Sequence, residues 1–323
     1  MVISPERVFW AGLIVGLYPY LGYPLCVALL RRLRLRPVRR APITPTVTVV
    51  ISAYNEAPHV TTTVRNKLTQ EYPPALLDVM VASDASTDGT DELLMQLAQQ
   101  EPRVSFWRQE PRAGKTSALN AMIERARGEI IVFADANSIY RSDTIQQLME
   151  YFSDPSVGYV SGRMLYVDPE GSLVGDGCSA YMRYENALRA GESAIGSVAG
   201  VDGGVDAVRR ELYKPMRSDQ LPDFVLPLAV VEQGRRVVYA PDAVVQEQAL
   251  GSESAEYRMR VRVALRALWA LWDKRALLNP LRFPLFSWQL ASHKLLRYLS
   301  FIPLGIAALL NWLLLSHGWI FLT

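Results

Sequence analysis

An α/β fold built on a mostly parallel sheet, flanked by helices and carrying a membrane helix at each end, is predicted by three observations. Apolar, partly β-branched runs alternate with stretches of helical spacing between residues 46 and 152. Three of those runs end on acidic or amide side chains: Thr46 to Ala53 on Tyr54-Asn55-Glu56, Leu76 to Ser83 on Asp84, and Ile130 to Ala134 on Asp135-Ala136-Asn137. Finally, Val8 to Leu30 contains no charged residue, and Tyr298 to Trp319 only His317.

The first apolar stretch matches the roughly 20 residues that cross a hydrocarbon core, so residues 1–36 read as a transmembrane helix with a basic flank. A signal peptide is disfavoured, because the arginines of Arg31-Arg32-Leu33-Arg34-Leu35-Arg36 follow the apolar run and no small-residue cleavage site comes after them. The positive-inside rule then puts this cluster and the domain behind it in the cytoplasm. Attraction to anionic head groups and a merely solvated linker are the other readings of the same arginines. Pro37 to Pro45 is a linker, and the domain occupies residues 46–255.

Within that domain the strands centre near Val50, Val81, Phe106 and Val132. Helices are expected over Pro58 to Leu68, Asp88 to Gln99 and Lys115 to Arg127, with Ser142 as N-cap of a further helix from Asp143 to Phe152. Residues 256–297 form amphipathic helices at the interface: Glu256 to Leu278, then Phe283 to Leu296, for which a buried core helix fits as well. Residues 298–323 are the second span, and its flanking Lys294 and Arg297 agree with the orientation of the first. The apolar character persists to Phe321-Leu322-Thr323, which leaves room for a further span.

Several function classes fall away. A net charge of +2 over 323 residues excludes a nucleic-acid binder by bulk charge. Cys26 and Cys178 lie far apart and suit a reducing compartment, and the scattered His59, His293 and His317 supply neither a zinc cluster nor a Ser-His-Asp arrangement. Gly114-Lys115-Thr116 resembles the end of a P-loop, but Gln109 stands where its first glycine belongs. No Gly-x-Gly-x-x-Gly follows the first strand, which disfavours a dehydrogenase.

What remains is oxygen chemistry at strand ends. Ligands of open α/β sheets bind outside the carboxyl ends of the strands, so Glu56, Asp84 and Asp135 are expected to line one crevice. A carboxylate with the amide oxygen of Asn137 suits Mg²⁺ or Mn²⁺, although Asp and Asn after a strand are also ordinary turn formers. Lys115 opens a helix, where an anion is favoured; a solvated surface lysine is the competing reading.

Taken in order, Ala53-Tyr54-Asn55-Glu56, Ser83-Asp84-Ala85-Ser86-Thr87-Asp88-Gly89-Thr90, Gly114-Lys115 with Ala118-Leu119-Asn120, and Asp135-Ala136-Asn137 resemble family 2 glycosyltransferases of the GT-A fold. The likeness continues through Gly200-Val201-Asp202-Gly203-Gly204 and Asp223-Phe224-Val225-Leu226-Pro227-Leu228. It points to the membrane-bound branch related to cellulose, chitin and hyaluronan synthases. It implies that Glu56, Asp84 and Lys115 serve the nucleoside end of a UDP-sugar, that Asp135 with Asn137 holds the divalent metal, and that Asp223 is the general base. Asn137 replaces the family's second aspartate, and Pro222 stands where a further acid usually precedes Asp223. Arg260, in Glu256-Tyr257-Arg258-Met259-Arg260-Val261-Arg262, matches the arginine of the synthases' Gln-x-x-Arg-Trp and is expected at the pyrophosphate, while Tyr257 and Val261 depart from that motif. Asp202 is the candidate acceptor contact, and a tight turn explains its flanking glycines equally well.

The resemblance implies inverting, metal-dependent transfer from a UDP-sugar to a hydroxyl of a carbohydrate or lipid-linked acceptor, at the cytoplasmic face of the plasma membrane. A non-catalytic nucleotide-sugar-binding subunit of an envelope-polysaccharide assembly complex is the alternative. Two spans would make a secretion channel only if copies associate, so a homo-oligomer or assembly partners join membrane lipid among the expected partners.

Overall fold

The computed structural model describes residues 4–167, 176–248 and 253–314, with the side chains of 176–179, 248, 253–256, 259 and 260 outside the described set. The chain divides into two compact units, Arg36–Ala270 and a second made of Met1–Leu35 with Leu271–Thr323. Its helices are α1 (Pro5–Leu17), α2 (Gly22–Leu33), α3 (Val60–Leu68), α4 (Thr90–Gln100), α5 (Lys115–Arg125), α6 (Thr144–Tyr151), α7 (Asp176–Ile195), α8 (Pro222–Glu232), α9 (Glu253–Asp273), α10 (Pro284–Leu290), α11 (Leu296–Leu299) and α12 (Phe301–Leu314). The strands are β1 (Val47–Ala53), β2 (Leu77–Asp84), β3 (Val104–Gln109), β4 (Ile130–Asp135), β5 (Ile139–Tyr140), β6 (Val157–Val167), β7 (Val205–Arg209) and β8 (Arg236–Gln248).

All eight strands join one sheet in the order β3-β2-β1-β4-β7-β6-β8-β5. The first four are parallel, as the alternating pattern predicts, with Val47–Ala53 in register against Leu77–Ser83 on one side and Ile130–Asp135 on the other. Beyond β4 the sheet is mixed: β7 is antiparallel to both β4 and β6, β8 is parallel to β6, and β5 is antiparallel to β8. The expectation of a mostly parallel sheet therefore holds for the first half of the sheet only. Val49, Val50, Ile51, Ile130, Ile131 and Val132 are fully buried, so β1 and β4 are covered on both faces and their ends are held rigidly, whereas Asp78 and Met80 leave one face of β2 half-buried at its start.

Helix α6 starts one residue later than expected and is not capped by Ser142, whose hydroxyl bonds Glu71 Oε1 at 2.5 Å instead; Asp143 takes the N-cap position. Helix α8 begins with Pro222 in its first turn, where a missing N–H costs nothing.

In the other unit the expected single helix from Val8 to Leu30 is broken into α1 and α2, bent by 56°. Among the described residues no single helix is long and apolar enough to cross a membrane, but this pair and Pro284–Leu299 with Phe301–Leu314, bent by 49°, pass that test together. Helix α12 packs on α1 through Phe9, Leu13, Ala307, Leu310 and Leu314. The approach is close because a Cβ on Gly12 would lie 2.8 Å from Pro303 O, and one on Gly16 2.5 Å from the Leu304 side chain. Such small residues four apart are the packing that helices use where lipid removes the hydrophobic drive. The outward faces carry exposed Trp10, Ile14, Leu21, Phe301, Leu309 and Trp312, an apolar exterior that water does not favour.

Candidate active site

The loops after β1 and β2 are laced together before they offer anything to a ligand. Asn55 and Ala85 both adopt left-handed backbone (φ 54° and 57°), which turns the chain sharply at the two strand ends. Asn55 N donates to Ser86 Oγ at 3.1 Å, Thr87 N donates to Asn55 Oδ1 at 2.9 Å, Glu56 N donates to Thr90 Oγ1 at 2.9 Å, and Ala57 N donates to Asp88 Oδ2 at 3.0 Å. Most of the Ser-Thr-Asp-Gly-Thr stretch is thus scaffolding. Glu56 keeps its side chain free of these bonds; burial raises its pKa, as do the charges of Asp135 and Asp88, against the pull of His59.

Asp84, at the end of β2 and only 3% exposed, spends its oxygens on the segment before α5. Oδ1 accepts from Gln109 Nε2 at 2.5 Å and Ala113 N at 2.8 Å, and Oδ2 from Gly114 N at 3.0 Å, with Arg112 Nε 3.5 Å away. The Arg112 guanidinium stacks 3.5 Å from the ring centre of Tyr54. Asp84 therefore shapes the entry to α5 and, through it, the position of Lys115.

Lys115 is the first residue of α5. Its Nζ donates to Asp135 Oδ1 at 2.6 Å, and both side chains remain about a third exposed (37% and 33%), so the pair stays partly open to solvent. The helix behind it is anchored by Asn120, whose Nδ2 donates to Met216 O at 2.7 Å and whose Oδ1 accepts from Met216 N and the Tyr213 hydroxyl. Thr116 Oγ1 adds a bond to Gln220 O at 2.9 Å. These contacts tie α5 to the segment that leads into α8, which is how Lys115 and Asp223, in the first turn of α8, come to share one charge cluster.

The register of β4 and β7 pairs Ala134 with Val205, which sets Gly204 beside Asp135. Gly203 and Gly204 have φ of 85° and 74°, and neither has room for a side chain. A Cβ on Gly203 would lie 2.8 Å from the Asp223 carboxyl carbon, and one on Gly204 2.8 Å from Glu247 Oε1 and 3.4 Å from Asp135 Oδ2. The two glycines let the backbone pass between the three carboxylates.

The electrostatics follow from that crowding. Lys115 holds Asp135 below the ordinary carboxylate range against the cost of burial. Burial opposes the Lys115 charge, but Asp135, Asp223 and Glu247 together raise its pKa. Glu247 moves the other way: burial, then the neighbouring Asp135 carboxylate, pushes it up. Asp223 is raised by burial and by Asp135 and Asp202, against Lys115. Asp206 on β7, paired in register with Ser161 of β6, is pushed up to about 8 by burial and by the Asp223 charge.

Glu247 and Asp206 were missed by the sequence reading. The signal that could have found them is a charged residue inside otherwise apolar strands, Val205-Asp206-Ala207-Val208 and Val244-Val245-Gln246-Glu247. Asp202 is gripped through both oxygens by Arg189 of α7, whose side chain is 5% exposed, which gives this carboxylate a structural partner at the place expected for an acceptor contact. Asn137 is exposed and lines a cavity with His59, Thr62, Thr63 and Gln246. The backbone of Arg260 belongs to α9, but its side chain lies outside the described residues.

A divalent cation fits the donors gathered here. They are oxygens only, Glu247 Oε1 is buried without a hydrogen-bond partner, and the excess of carboxylates calls for a positive charge. Among the described residues no cluster of three or more His, Cys, Asp or Glu is arranged to hold a metal by itself, which leaves coordination to be completed by Asn137 or by a ligand's own oxygens.

The model of the family "Glycosyltransferase like family 2" matches residues 45–269. A beta-monoglucosyldiacylglycerol synthase of Trichormus variabilis is 27% identical over 212 residues, 65% of this chain and 45% of that protein. An N-acetylglucosaminyltransferase of Rhizobium meliloti is 26% identical over 225 residues, 65% of this chain and 52% of its own length. The chain thus spans about half the length of these curated relatives. Among solved structures, the mannosyltransferase PcManGT from Pyrobaculum calidifontis, in complex with GDP-Man and Mn²⁺, is similar with a TM-score of 0.77 and 26% identity, covering 98% of this chain and 88% of that one. TarS 1-349 of S. aureus, in complex with UDP-GlcNAc, shares the fold with a TM-score of 0.56 at 16% identity, over 82% of this chain and 75% of that one. A family match across well over half the chain, on the GT-A-like sheet described above, means that this protein belongs to the family 2 glycosyltransferases.

Proposed function

We propose that the chain transfers a sugar from a UDP-sugar to an acceptor hydroxyl at a membrane surface, with inversion at the anomeric carbon. The observation that carries this reading is the convergence of Lys115, Asp135, Asp223 and Glu247 around the Gly203-Gly204 backbone. Asp223 removes the proton of the acceptor hydroxyl as its oxygen attacks the anomeric carbon, and the bond to the pyrophosphate breaks. A carboxylate with a raised pKa in the first turn of a helix is suited to that work. Lys115 stands where charge builds on the leaving diphosphate, and Glu56, Tyr54 and Arg112 line the nucleoside side. Asp135, Asn137 and Glu247 would hold Mg²⁺ or Mn²⁺, which supplies further charge neutralisation for the departing diphosphate.

The exposed apolar exterior of α1, α2 and α12, with the arginines after α2, supports anchoring in the plasma membrane with the catalytic unit on the cytoplasmic face. The beta-monoglucosyldiacylglycerol synthase among the relatives supports a lipid-linked acceptor.

The test is nucleotide release by the detergent-solubilised protein with UDP-glucose, UDP-N-acetylglucosamine and GDP-mannose, each with Mn²⁺ and a lipid extract. Release of UDP that D223N abolishes is the expected result. Tight donor binding with no release from any donor would overturn the enzymatic reading in favour of a binding subunit, and release from GDP-mannose alone would overturn the choice of nucleotide.

A further inference from the structure

We propose that Lys67 of α3 is a positioning residue for the Asp135–Ser138 turn, an inference that rests on the reading of that turn as part of the donor site. On α3 the buried face is Val60, Thr63, Val64 and Lys67, so the helix places a lysine where its periodicity calls for an apolar side chain. Lys67 is 0% exposed. An ammonium taken fully out of water is costly unless several partners meet it, so a lysine kept at a core position marks a place where its donors are used.

The partners converge on one feature. Lys67 Nζ donates to Ser138 O at 2.7 Å and Asn66 Oδ1 at 3.1 Å, and lies 3.8 Å from the ring centre of Tyr140. Ser138 closes the turn, because its N and Oγ donate to Asp135 O at 3.2 and 2.9 Å. Asn66 clamps the exit of the turn from the same helix: Nδ2 donates to Tyr140 O at 2.9 Å, and Tyr140 N donates to Oδ1 at 2.8 Å. The Tyr140 hydroxyl then reaches Phe133 O and Gly204 O at 2.8 and 2.9 Å, tying the turn to β4 and to the glycines between the carboxylates. Lys67 thus grips, from α3, the turn that begins at Asp135.

Burial lowers the Lys67 pKa to about 7, with Asp135 and Glu247 acting against it, so the grip on the turn rests on the N–H donors of Nζ. Methionine fills a similar volume without the bond to Ser138 O.

The experiment compares wild type, K67M and K67Q in detergent by two measurements. In UDP release with Mn²⁺, K67M is expected to lower kcat at least thirtyfold, with donor KM changed less than threefold and the far-UV spectrum unchanged. In hydrogen exchange, the peptide covering residues 135–140 is expected to exchange at least tenfold faster in K67M, while peptides of β1 and β2 keep wild-type rates. K67Q retains an N–H donor for Ser138 O, and should restore protection of the turn and bring kcat to within about threefold of wild type; K67L replaces K67M in both measurements if that variant does not fold. Wild-type protection of 135–140 together with wild-type kcat in a folded variant overturns the proposal, as does exchange that rises equally across β1, β2 and the turn. If wild type itself releases no nucleotide, the transferase reading fails while the exchange measurement still decides the role of Lys67.

Discussion

Lys115 Nζ and Asp135 Oδ1 stand 2.6 Å apart, joining the first turn of one helix to the end of the strand that precedes the Asp135–Ser138 turn. The pair is partly open to solvent, so its worth in stability is modest; its consequence is electrostatic, since each member fixes the charge of the other. Replacing Lys115 by Met removes the cation that holds Asp135 below its ordinary range and takes a positive charge from the place proposed for the leaving diphosphate. K115M is expected to fold with a Tm near wild type, lower kcat about a hundredfold, the order seen when one charge-stabilising donor is lost, and raise donor KM. Steady-state UDP release checks both parameters, and an unchanged kcat would remove Lys115 from the chemistry.

Asp223 gives a different signature. Its folded pKa is raised, first by burial, so the acid limb of kcat/KM should lie above the range of an ordinary carboxylate, and activity should fall as pH drops through that value. D223N is expected to lower kcat by roughly 10²–10⁴ and to leave donor binding within threefold, because a general base acts on the acceptor proton. A pH–rate profile and calorimetric UDP binding distinguish this from a folding defect. Loss of donor affinity in proportion to kcat would place Asp223 on the donor instead.

Gly204 allows a steric test of the same cluster. With φ of 74° and only 2.8 Å between an added Cβ and Glu247 Oε1, alanine there must displace the carboxylate or the strand end. The left-handed backbone alone costs about 1 kcal/mol for a residue with a Cβ. G204A should therefore lose most activity with a drop in Tm of a few degrees, whereas G234A, with equally positive φ but open space around it, should lose only the stability. Comparing the two variants in one assay separates clash from backbone strain.

The contrast between the two halves of the sheet explains what could be read in advance. Strands β1 and β4 are parallel and buried on both faces, so they appear as apolar runs, while β2 is buried throughout only over its second half; the ends of all three announce Glu56, Asp84 and Asp135. Strand β8 carries Glu247 near the end of thirteen residues, and β7 hides Asp206 in five, so nothing in spacing marks either as belonging to the charge cluster. Asp84 was legible as a strand-end acid but not as the acceptor for Gln109, Ala113 and Gly114, because those bonds depend on how the chain returns from β3. The break between α1 and α2 has a local cause that hydropathy averages away: Pro19 and Gly22 stand at the bend within an uncharged run.

Asp202 and Arg189 separate a structural from an acceptor role. The guanidinium is almost wholly buried and takes both oxygens of Asp202, so removing either partner takes away the main compensation of a buried charge. D202N is expected to destabilise by about 3 kcal/mol, the usual cost of breaking a buried pair from one side, and R189M by a similar amount. The double variant should cost less than the sum of the two. An acceptor contact predicts instead that D202N raises acceptor KM with little change in Tm, so thermal unfolding and acceptor kinetics on the same preparations decide between them.

Asp206 makes the fold itself sensitive to pH. Its pKa in the folded chain is about 8, against an ordinary carboxylate value in the unfolded chain, so the folded state binds this proton more tightly. Below about pH 4 both states are protonated and the carboxyl imposes no penalty; as pH rises from there to about 8 the unfolded state ionises first, and stability is progressively lost. The size at pH 8 is roughly 2–5 kcal/mol by linkage. D206N keeps the shape, removes the ionisation and should unfold at a higher temperature than wild type at pH 8, with the difference shrinking toward about pH 4. Thermal unfolding of both proteins in detergent across that range is the measurement, and a Tm difference that stays constant with pH would show that Asp206 is already ionised in the folded protein.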